Sequence, residues 1–340
     1  MNVYWLCGIS ASIAFVIGVI LYKIFIPLLR KVKLGQKILE IGPSWHKSKE
    51  GTPNLGGLIY ITAMIIGIAT GFVLLYNTAD FYEKSSSIFG ATLIFVIFAL
   101  SQGLIGFVDD YVKLFKKRNK GLSSIQKLVL QTLTTAGYLF ANAYFMGADT
   151  AIDTPWGELE LGIFYYVIML LAIVYIINCA NLTDGIDGLA GSIAFIICTM
   201  LLLFGIYQAK ESQTVIMDAF PIAIASLLGA LFAFLIFNFH PAKIFMGDTG
   251  SLFLGGFIVG AIMLTDNELL LIPVACIWIL EGLSVVLQVF SFKVFGKRIF
   301  KMSPIHHHFE KCGWGEVKIV LVFSLITVAF STLTYYLLNL

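Results

Sequence analysis

Ten long apolar segments constrain the fold of this 340-residue chain more than any other feature. Each is about as long as the roughly 20 residues that a helix needs to cross a bilayer. Soluble domains carry about 25% charged residues, whereas only 12% of this chain is charged. Because the runs are continuously apolar, they favour helices over a β-barrel. The sequence therefore predicts an all-α, polytopic integral membrane protein, a single membrane domain over residues 1–340 with ten transmembrane helices.

The spans can be placed along the chain from hydropathy. They cover residues 3–27, 54–76, 88–108, 127–147, 162–179, 189–208, 217–238, 249–265, 269–291 and 318–339. The eighth is short and rich in glycine, and the ninth contains Glu281 and is expected to extend past the bilayer or to bend. The first lacks an early basic region and an obvious cleavage site, which favours a retained helix over a signal peptide. The scattered cysteines predict neither a disulfide framework nor a metal cluster.

Positive charge is distributed unevenly between the loops. Of the 22 lysine and arginine residues, all but Lys84 and Lys210 lie in or beside the loops that follow odd-numbered spans. By the positive-inside rule these loops are cytoplasmic, and an even number of spans then places both termini outside the cytoplasm. The net charge of +2 gives no indication of nucleic acid as a partner.

Unusual polar segments fall on the same predicted side. The loops concerned are 28–53, 109–126, 178–188, 239–248 and 292–317, and they contain all five histidines. The loops on the other side carry only ordinary turn and acidic residues. This one-sided clustering predicts an active site that opens to the cytoplasm.

Five aspartates at helix ends are candidate ligands for a cation: Asp109, Asp110, Asp184, Asp187 and Asp248. Carboxylate oxygens suit Mg²⁺, which usually works beside a substrate phosphate. Helix capping is the alternative for Asp184, Asp187 and Asp248. It is disfavoured for the adjacent pair Asp109–Asp110 at a helix C-terminus, where the helix dipole opposes an anion. Two adjacent carboxylates repel unless a cation compensates them, so we expect Mg²⁺ carrying a diphosphate near this pair.

Two further motifs accompany the acids. Gly247–Ser251 predicts a tight turn that opens a helix, where backbone donors would face an anion, with a simple N-cap as the alternative. Three consecutive histidines, 306–308, cannot all reach one ion from a regular helix, which disfavours zinc. On a loop, two imidazoles could donate to a diphosphate; otherwise the run is a set of titrating interfacial groups.

Three lysines lie beside these motifs: Lys49, Lys113 and Lys127. Attraction to anionic lipid head groups explains any one of them. For Lys113, which follows the aspartate pair closely in sequence, we favour contact with a substrate phosphate.

Taken together, the motifs resemble a known family over nearly the whole chain. The segments that carry the resemblance are 106–111 (GFVDDY), 181–189 (NLTDGIDGL), 245–251 (FMGDTGS) and 303–310 (SPIHHHFE). They are similar to bacterial phospho-N-acetylmuramoyl-pentapeptide transferases, of the polyprenyl-phosphate N-acetylhexosamine-1-phosphate transferase superfamily. The aspartate motifs mark the superfamily, and the triple histidine with Gly51–Gly57 marks the muramoyl-pentapeptide branch. Within the latter, Asn54-Leu55 replaces the more usual Thr-Met.

The resemblance implies an activity. The family transfers phospho-MurNAc-pentapeptide from UDP-MurNAc-pentapeptide to undecaprenyl phosphate in the bacterial plasma membrane, forming lipid I and UMP for peptidoglycan and cell-wall biosynthesis. It implies Mg²⁺, a homodimer and inhibition by nucleoside antibiotics. It makes Asp109, Asp110 and Asp248 catalytic, with Asp248 as the metal ligand. The expected substrate or nucleotide contacts are Lys49, Lys113, Lys127, Asn181, Asp184, Asp187, Asn238, Phe245, His306, His307 and His308.

Alternatives of mechanism and function stay open at this point. Direct attack by the lipid phosphate is favoured over a phospho-aspartyl intermediate, because the lipid tail already fixes the acceptor at the membrane surface. A sister enzyme that uses UDP-N-acetylglucosamine is the nearest rival, and the triple histidine argues against it. A transporter would carry charges near mid-membrane, where the spans offer only Glu281. A membrane scaffold is a weaker idea that no feature requires.

Overall fold

The computed structural model describes residues 3–31, 49–77, 88–115, 121–147, 150–154, 156–212, 216–265 and 267–338. Parts of two predicted site loops, 32–48 and 116–120, lie outside the described residues. The helices are α1 (Val3–Lys31), α2 (Gly56–Tyr76), α3 (Ile88–Phe115), α4 (Ser124–Ala141), α5 (Ile163–Thr183), α6 (Leu189–Ser212), α7 (Ile216–Asn238), α8 (Gly247–Met263), α9 (Leu271–Val274), α10 (Cys276–Phe295), α11 (Ile305–Lys311) and α12 (Glu316–Leu338).

Within the described residues, eight helices are long and apolar enough to cross a membrane: α1, α2, α3, α5, α6, α7, α10 and α12. They confirm the predicted all-α, polytopic membrane protein. The fourth and eighth predicted spans coincide with α4, of 18 residues, and α8, of 17 residues. Ten crossings, and the side on which the termini lie, stay predictions.

The predicted ninth span is interrupted. A 3₁₀ turn at Glu268–Leu270 leads into the four residues of α9, and α10 begins only after Ala275. Pro273 in α9 has no backbone N–H to donate, which favours a break in the helix here. α10 then runs to Phe295, beyond the predicted end of the span. The structure shows the interruption and the longer helix, whereas an extension of this span past the bilayer stays a prediction.

A short hairpin lies between α4 and α5. Strand β1 (Ala151–Thr154) pairs antiparallel with β2 (Gly157–Glu160), and Ala151 lies opposite Glu160. Gly157 adopts a φ of 120°, which is accessible to glycine and strained for other residues. The sequence analysis predicted a loop between the fourth and fifth spans and did not indicate this hairpin. Eight residues of strand leave the fold class unchanged.

Helix α8 is the centre of the protein, and every residue from Thr249 to Met263 is buried. It packs against α2, α3 and α5. A Cβ on Gly256 would lie 2.8 Å from Gln102 Cγ, and one on Gly260 would lie 3.0 Å from Phe95 Cβ. Membrane helices associate by close packing, which small residues permit. The glycines of the eighth span therefore bring α3, which carries Asp109 and Asp110, against α8, which carries Asp248.

Candidate active site

Segments 53–57 and 245–251, far apart in sequence, are joined by their backbones. Three hydrogen bonds of 2.8–2.9 Å connect them, among them Gly57 N–H to Met246 O. A Cβ on Gly57 would lie 2.4 Å from Gly250 N, so only glycine permits this approach. The pairing fixes the first turn of α8 against the start of α2.

The first turn of α8 also approaches α3 at backbone distance. Gly247 opens the helix with a φ of 71°, as the predicted tight turn requires. A Cβ on Gly106 would lie 2.1 Å from Asp248 O. The N-cap position of α8 is Met246, so capping does not account for Asp248. The carboxylate of Asp248 instead lies beside the acids of α3.

Four side chains there form an alternating arrangement of charge, which we call the charge square: Asp109, Lys113, Lys127 and Asp248. Lys113 Nζ lies 2.5 Å from Asp109 Oδ2 and 2.9 Å from Asp248 Oδ2, and Lys127 Nζ lies 2.9 Å and 2.5 Å from the same two atoms. The Asp109 side chain is 1% exposed and that of Asp248 is 20% exposed. The low dielectric of a buried site strengthens such contacts. Two lysines therefore compensate the repulsion that the acids of this site impose.

Local sequence explains how Lys127 reaches the square. Ser123 Oγ accepts from Gln126 N–H at 3.2 Å, and Gln126 Oε1 accepts from Ser123 N–H at 2.9 Å. This capping box starts α4 and places Lys127 on its first turn. Leu122 N–H donates to Asp109 Oδ1 at 2.6 Å, which ties the same loop to α3.

Asp110, although adjacent to Asp109, contacts a different set of groups. Its Oδ2 accepts from Thr249 N–H at 2.9 Å and from Thr249 Oγ1 at 2.7 Å, and Asn54 Nδ2 lies 3.4 Å from Oδ1. These neutral donors join α3, α8 and the segment before α2. Sequence reasoning missed Asn54 and Thr249 as site residues, although both lie inside motifs that it singled out. The pair therefore divides into one carboxylate held by cations and one held by neutral donors.

Asn181 and Asp184, at the end of α5, belong to the same site. Asn181 Nδ2 donates to Asp248 Oδ1 at 3.1 Å and to Ser251 Oγ at 2.7 Å. Asp184 follows the last residue of α5, whereas α6 begins only at Leu189, so it does not cap the sixth span. Burial, and then the negative charges of Asp248 and Asp110, raise the pKa of Asp184 well above its usual range.

A second cluster of charged groups lies around Asp187. Lys49 Nζ lies 2.6 Å from Asp187 Oδ1 and 2.7 Å from Glu316 Oε2. Asp187 Oδ2 accepts from Ala242 N–H at 3.0 Å and lies 3.0 Å from His240 Nδ1. Asp187, His240 and Glu316 lie close enough together to hold a metal ion, but the Lys49 ammonium already pairs with both carboxylates. Asp187 is therefore part of an ion-pair network, and capping does not account for it.

Glu316, at the start of α12, belongs to this network although no sequence motif marked it. Besides Lys49, its Oε2 accepts from Asp187 N–H at 2.9 Å. We expect Glu316→Ala to lower the free energy of unfolding by about 1–3 kcal/mol, because two donors lose a partly buried acceptor. Glu316→Gln keeps an acceptor and is expected to lose less. Thermal unfolding of the detergent-solubilised protein measures both, and equal midpoints for Ala and wild type would contradict the assignment.

Asn238 and Phe245 connect the neighbouring segments. Asn238 Oδ1 accepts from Gly188 N–H at 3.0 Å, and its Nδ2 donates to Ile244 O at 2.9 Å. The backbone of Phe245 pairs with Pro53 and Gly56. Both residues therefore hold the loops that carry the charged groups, and their predicted contacts with substrate stay predictions.

The triple histidine lies on the short helix α11, whereas the diphosphate contact was considered for a loop. The three imidazoles consequently point in different directions. His306 Nδ1 lies 3.0 Å from Glu281 Oε2, His307 Nδ1 lies 2.5 Å from Glu310 Oε2, and His308 Nδ1 accepts from a backbone N–H. His306 is 0% exposed, so in this structure it offers no surface to a substrate. The expected contacts of His307 and His308 stay predictions.

The acidic groups of the site are compatible with a cation. One carboxylate oxygen from each of Asp109, Asp110 and Asp248 lies within 4.8 Å of the others. Hard oxygen ligands of this kind suit a hard divalent cation. The two lysines of the charge square occupy the contacts nearest to Asp109 and Asp248, so a metal ion would compete with them.

Comparisons with known proteins identify the family. Residues 91–266 match the family model for glycosyl transferase family 4. The chain is 44% identical over 326 residues to the phospho-N-acetylmuramoyl-pentapeptide-transferase of Clostridium perfringens strain SM101, covering 95% of this chain and 94% of the relative. The chain belongs to the phospho-N-acetylmuramoyl-pentapeptide-transferase family. This confirms the resemblance and the assignment to a membrane-bound transferase enzyme.

Other relatives of the same name agree. The protein of Anoxybacillus flavithermus is 41% identical over 328 residues, covering 96% of both chains. That of Bacillus licheniformis is 45% identical over 311 residues, covering 91% of this chain and 90% of the relative. The matched range of the broader glycosyl transferase family contains all four members of the charge square. It excludes Lys49 and the triple histidine, whereas the transferases of the same name align over nearly the whole chain.

Proposed function

We propose that this enzyme transfers phospho-MurNAc-pentapeptide from UDP-MurNAc-pentapeptide to undecaprenyl phosphate, forming lipid I and UMP in bacterial peptidoglycan synthesis. The charge square carries the proposal beyond family membership. It joins two lysines to two carboxylates at the ends of α3, α4 and α8, a site that can accept phosphates on the lysines and a cation on the acids.

The reaction replaces one phosphoanhydride by another, so the main obstacle is the approach of two anions. An oxygen of the lipid phosphate attacks the β-phosphorus of the donor, and UMP leaves with the bridging oxygen. Lys113 and Lys127 would neutralise the phosphates and hold them in line. Their contacts with the acids are then exchanged for contacts with substrate.

We propose Mg²⁺ as the cofactor and Asp248 as its ligand, with Asp109 and Asp110 close to the ion. Asp248 is the most exposed carboxylate of the three, so it is accessible from the surface of the protein. Bound Mg²⁺ would supply charge neutralisation at the diphosphate. Asn181 orients Asp248 through its hydrogen bond of 3.1 Å.

The adjacent aspartates receive different roles in this proposal. Asp109, in contact with both lysines, would lie beside the attacking lipid phosphate and accept its last proton. Asp110, held by Thr249 and Asn54, would position the first turn of α8. Direct attack is favoured because the lipid tail supplies proximity without a covalent stage.

The remaining candidate residues would surround the donor. Five residues in the segments next to the charge square are proposed to contact the nucleotide part of the donor: Lys49, Asn181, Asp184, Asp187 and Phe245. Further substrate contacts are proposed for Asn238, His307 and His308.

The orientation of the enzyme in the membrane and its binding partners are also proposed. The distribution of lysine and arginine favours a cytoplasmic active site in a multi-pass protein of the bacterial plasma membrane, with ten crossings and both termini outside the cytoplasm. A homodimer and inhibition by nucleoside antibiotics that mimic the uridine end belong to the same proposal.

Release of UMP by the purified protein tests the function. We expect UMP release to require UDP-MurNAc-pentapeptide, undecaprenyl phosphate and Mg²⁺ together. Preference for UDP-N-acetylglucosamine would indicate the sister enzyme, and substrate movement across liposomes without UMP release would indicate a transporter. A burst of one equivalent of UMP per enzyme before the lipid is added would contradict direct attack, because formation of a phospho-enzyme releases one UMP without the lipid acceptor.

A further inference from the structure

A carboxylate and an imidazole that are not members of the charge square are paired in the protein interior. Glu281 lies on α10 and His306 on α11, and both are 0% exposed. His306 Nδ1 lies 3.0 Å from Glu281 Oε2, and His306 N–H lies 3.4 Å from the same oxygen. A buried carboxylate inside an apolar helix is costly unless it is paired. The pair therefore requires an explanation that the transfer chemistry does not supply.

The hydrogen bond orients the imidazole. The contact of 3.0 Å between His306 Nδ1 and Glu281 Oε2 fixes which edge of the ring faces α10. Nε2 lies at the opposite edge of the ring and faces Gly185. A Cβ built on Gly185 would lie 2.2 Å from His306 Nε2 and 2.7 Å from Cε1, so the ring edge is in close contact with the backbone at this position.

Gly185 belongs to segment 184–188, which connects α5 to α6. The segment carries Asp184 and Asp187, both beside charged groups of the site. Its far end is held by Asn238, which accepts from Gly188 N–H, and by Glu316, which accepts from Asp187 N–H. The imidazole of His306 supports the near end, where Asp184 lies.

We propose that Glu281 is a positioning residue which, through His306 and its contact with Gly185, holds segment 184–188 in the geometry that binds the nucleotide donor. The inference rests on the proposed function, in which Asp184 and Asp187 contact the nucleotide part of the donor. Glu281 contacts no reacting atom. Its effect is on the affinity for the donor and on the order of one loop.

Three variants of α10 separate positioning from general stability. Glu281→Leu removes the acceptor at similar volume, Glu281→Gln keeps an acceptor, and Ser284→Ala is the matched control. Ser284 is buried in the next turn of the same helix, where its hydroxyl donates to the Glu281 main-chain carbonyl. We expect Glu281→Leu to raise the KM for UDP-MurNAc-pentapeptide about tenfold, the ratio that corresponds to one lost hydrogen bond. The KM for undecaprenyl phosphate should stay unchanged. Both KM values of Glu281→Gln and of Ser284→Ala should resemble those of wild type. Equal changes in both KM values, or none, would overturn the proposal.

Hydrogen–deuterium exchange of the ligand-free protein gives a second readout. Backbone amides of 184–188 should exchange about tenfold faster in Glu281→Leu than in wild type, with little change in α8. Should Glu281→Leu not fold, His306→Asn keeps a donor to Glu281 but removes the ring edge from Gly185, and the same two results are expected. Unchanged exchange overturns the inference. If wild type releases no UMP, the proposed function fails while the exchange result still decides the role of Glu281.

Discussion

Asp248→Asn is expected to lower the rate of Mg²⁺-dependent UMP release by about 10³-fold, the upper end of the loss seen for one preorganised electrostatic group. The substitution keeps the shape of the side chain but removes a charge that contacts Lys113, Lys127 and Asn181. An amide is also a weaker ligand for a hard divalent cation. The folded structure should be retained, because α8 is held to α2 through backbone hydrogen bonds.

Two measurements check this expectation. Binding of Mn²⁺, followed by electron paramagnetic resonance, should weaken together with the rate of UMP release. Asp153→Asn, which removes one exposed carboxylate from β1, is the matched control and should resemble wild type in both assays. Full metal binding and full activity in Asp248→Asn would remove Asp248 from the metal site.

Lys127→Met is expected to give opposite changes in rate and in metal affinity. The rate should fall by about 10²-fold, because one of the two cations that face the phosphates is lost. Metal affinity should rise, because Lys127 Nζ lies 2.9 Å from Asp109 Oδ2 and 2.5 Å from Asp248 Oδ2, where it competes with a divalent ion for the same oxygens. Lys113→Met should likewise lower the rate and raise the metal affinity.

A titration of the Mg²⁺ dependence of UMP release, combined with Mn²⁺ binding, measures this pair of effects. Lys243→Met removes one charge from an exposed position shortly before α8 and is expected to change neither quantity. Weaker metal binding in Lys127→Met would show that the lysine supports the ion and does not compete with it.

Several elements of the fold were predictable because their signal is local. Continuous apolar runs specify membrane helices, since backbone polar groups inside a bilayer must be satisfied within the segment. The break before α10 and the hairpin at 151–160 were harder to predict from the sequence. Pro273 allowed a bend but did not give its position, and strands of four residues are too short for a clear periodic signal.

The candidate site was predictable in composition but not in its contacts. The sequence ended the third span at residue 108 and placed a loop from 109, whereas α3 runs to Phe115. This extra helix brings Asp109 and Lys113, four residues apart, together. The separate environments of Asp109 and Asp110 depend on Lys127 and Thr249, which approach from other helices. No sequence pattern around Asp109 and Asp110 indicates that their environments differ.

By itself, the sequence determined the class of protein, the uneven distribution of positive charge, the family and the residue types of the site. Only the tertiary structure showed that two lysines from different helices meet Asp109 and Asp248, at the acids for which Mg²⁺ is proposed. It also gave Glu281 a partner in His306. The physical reason is that periodicity and hydropathy act between near neighbours in sequence. Contacts between distant segments depend on how closely backbones approach, which here is set by glycines such as Gly57 and Gly106.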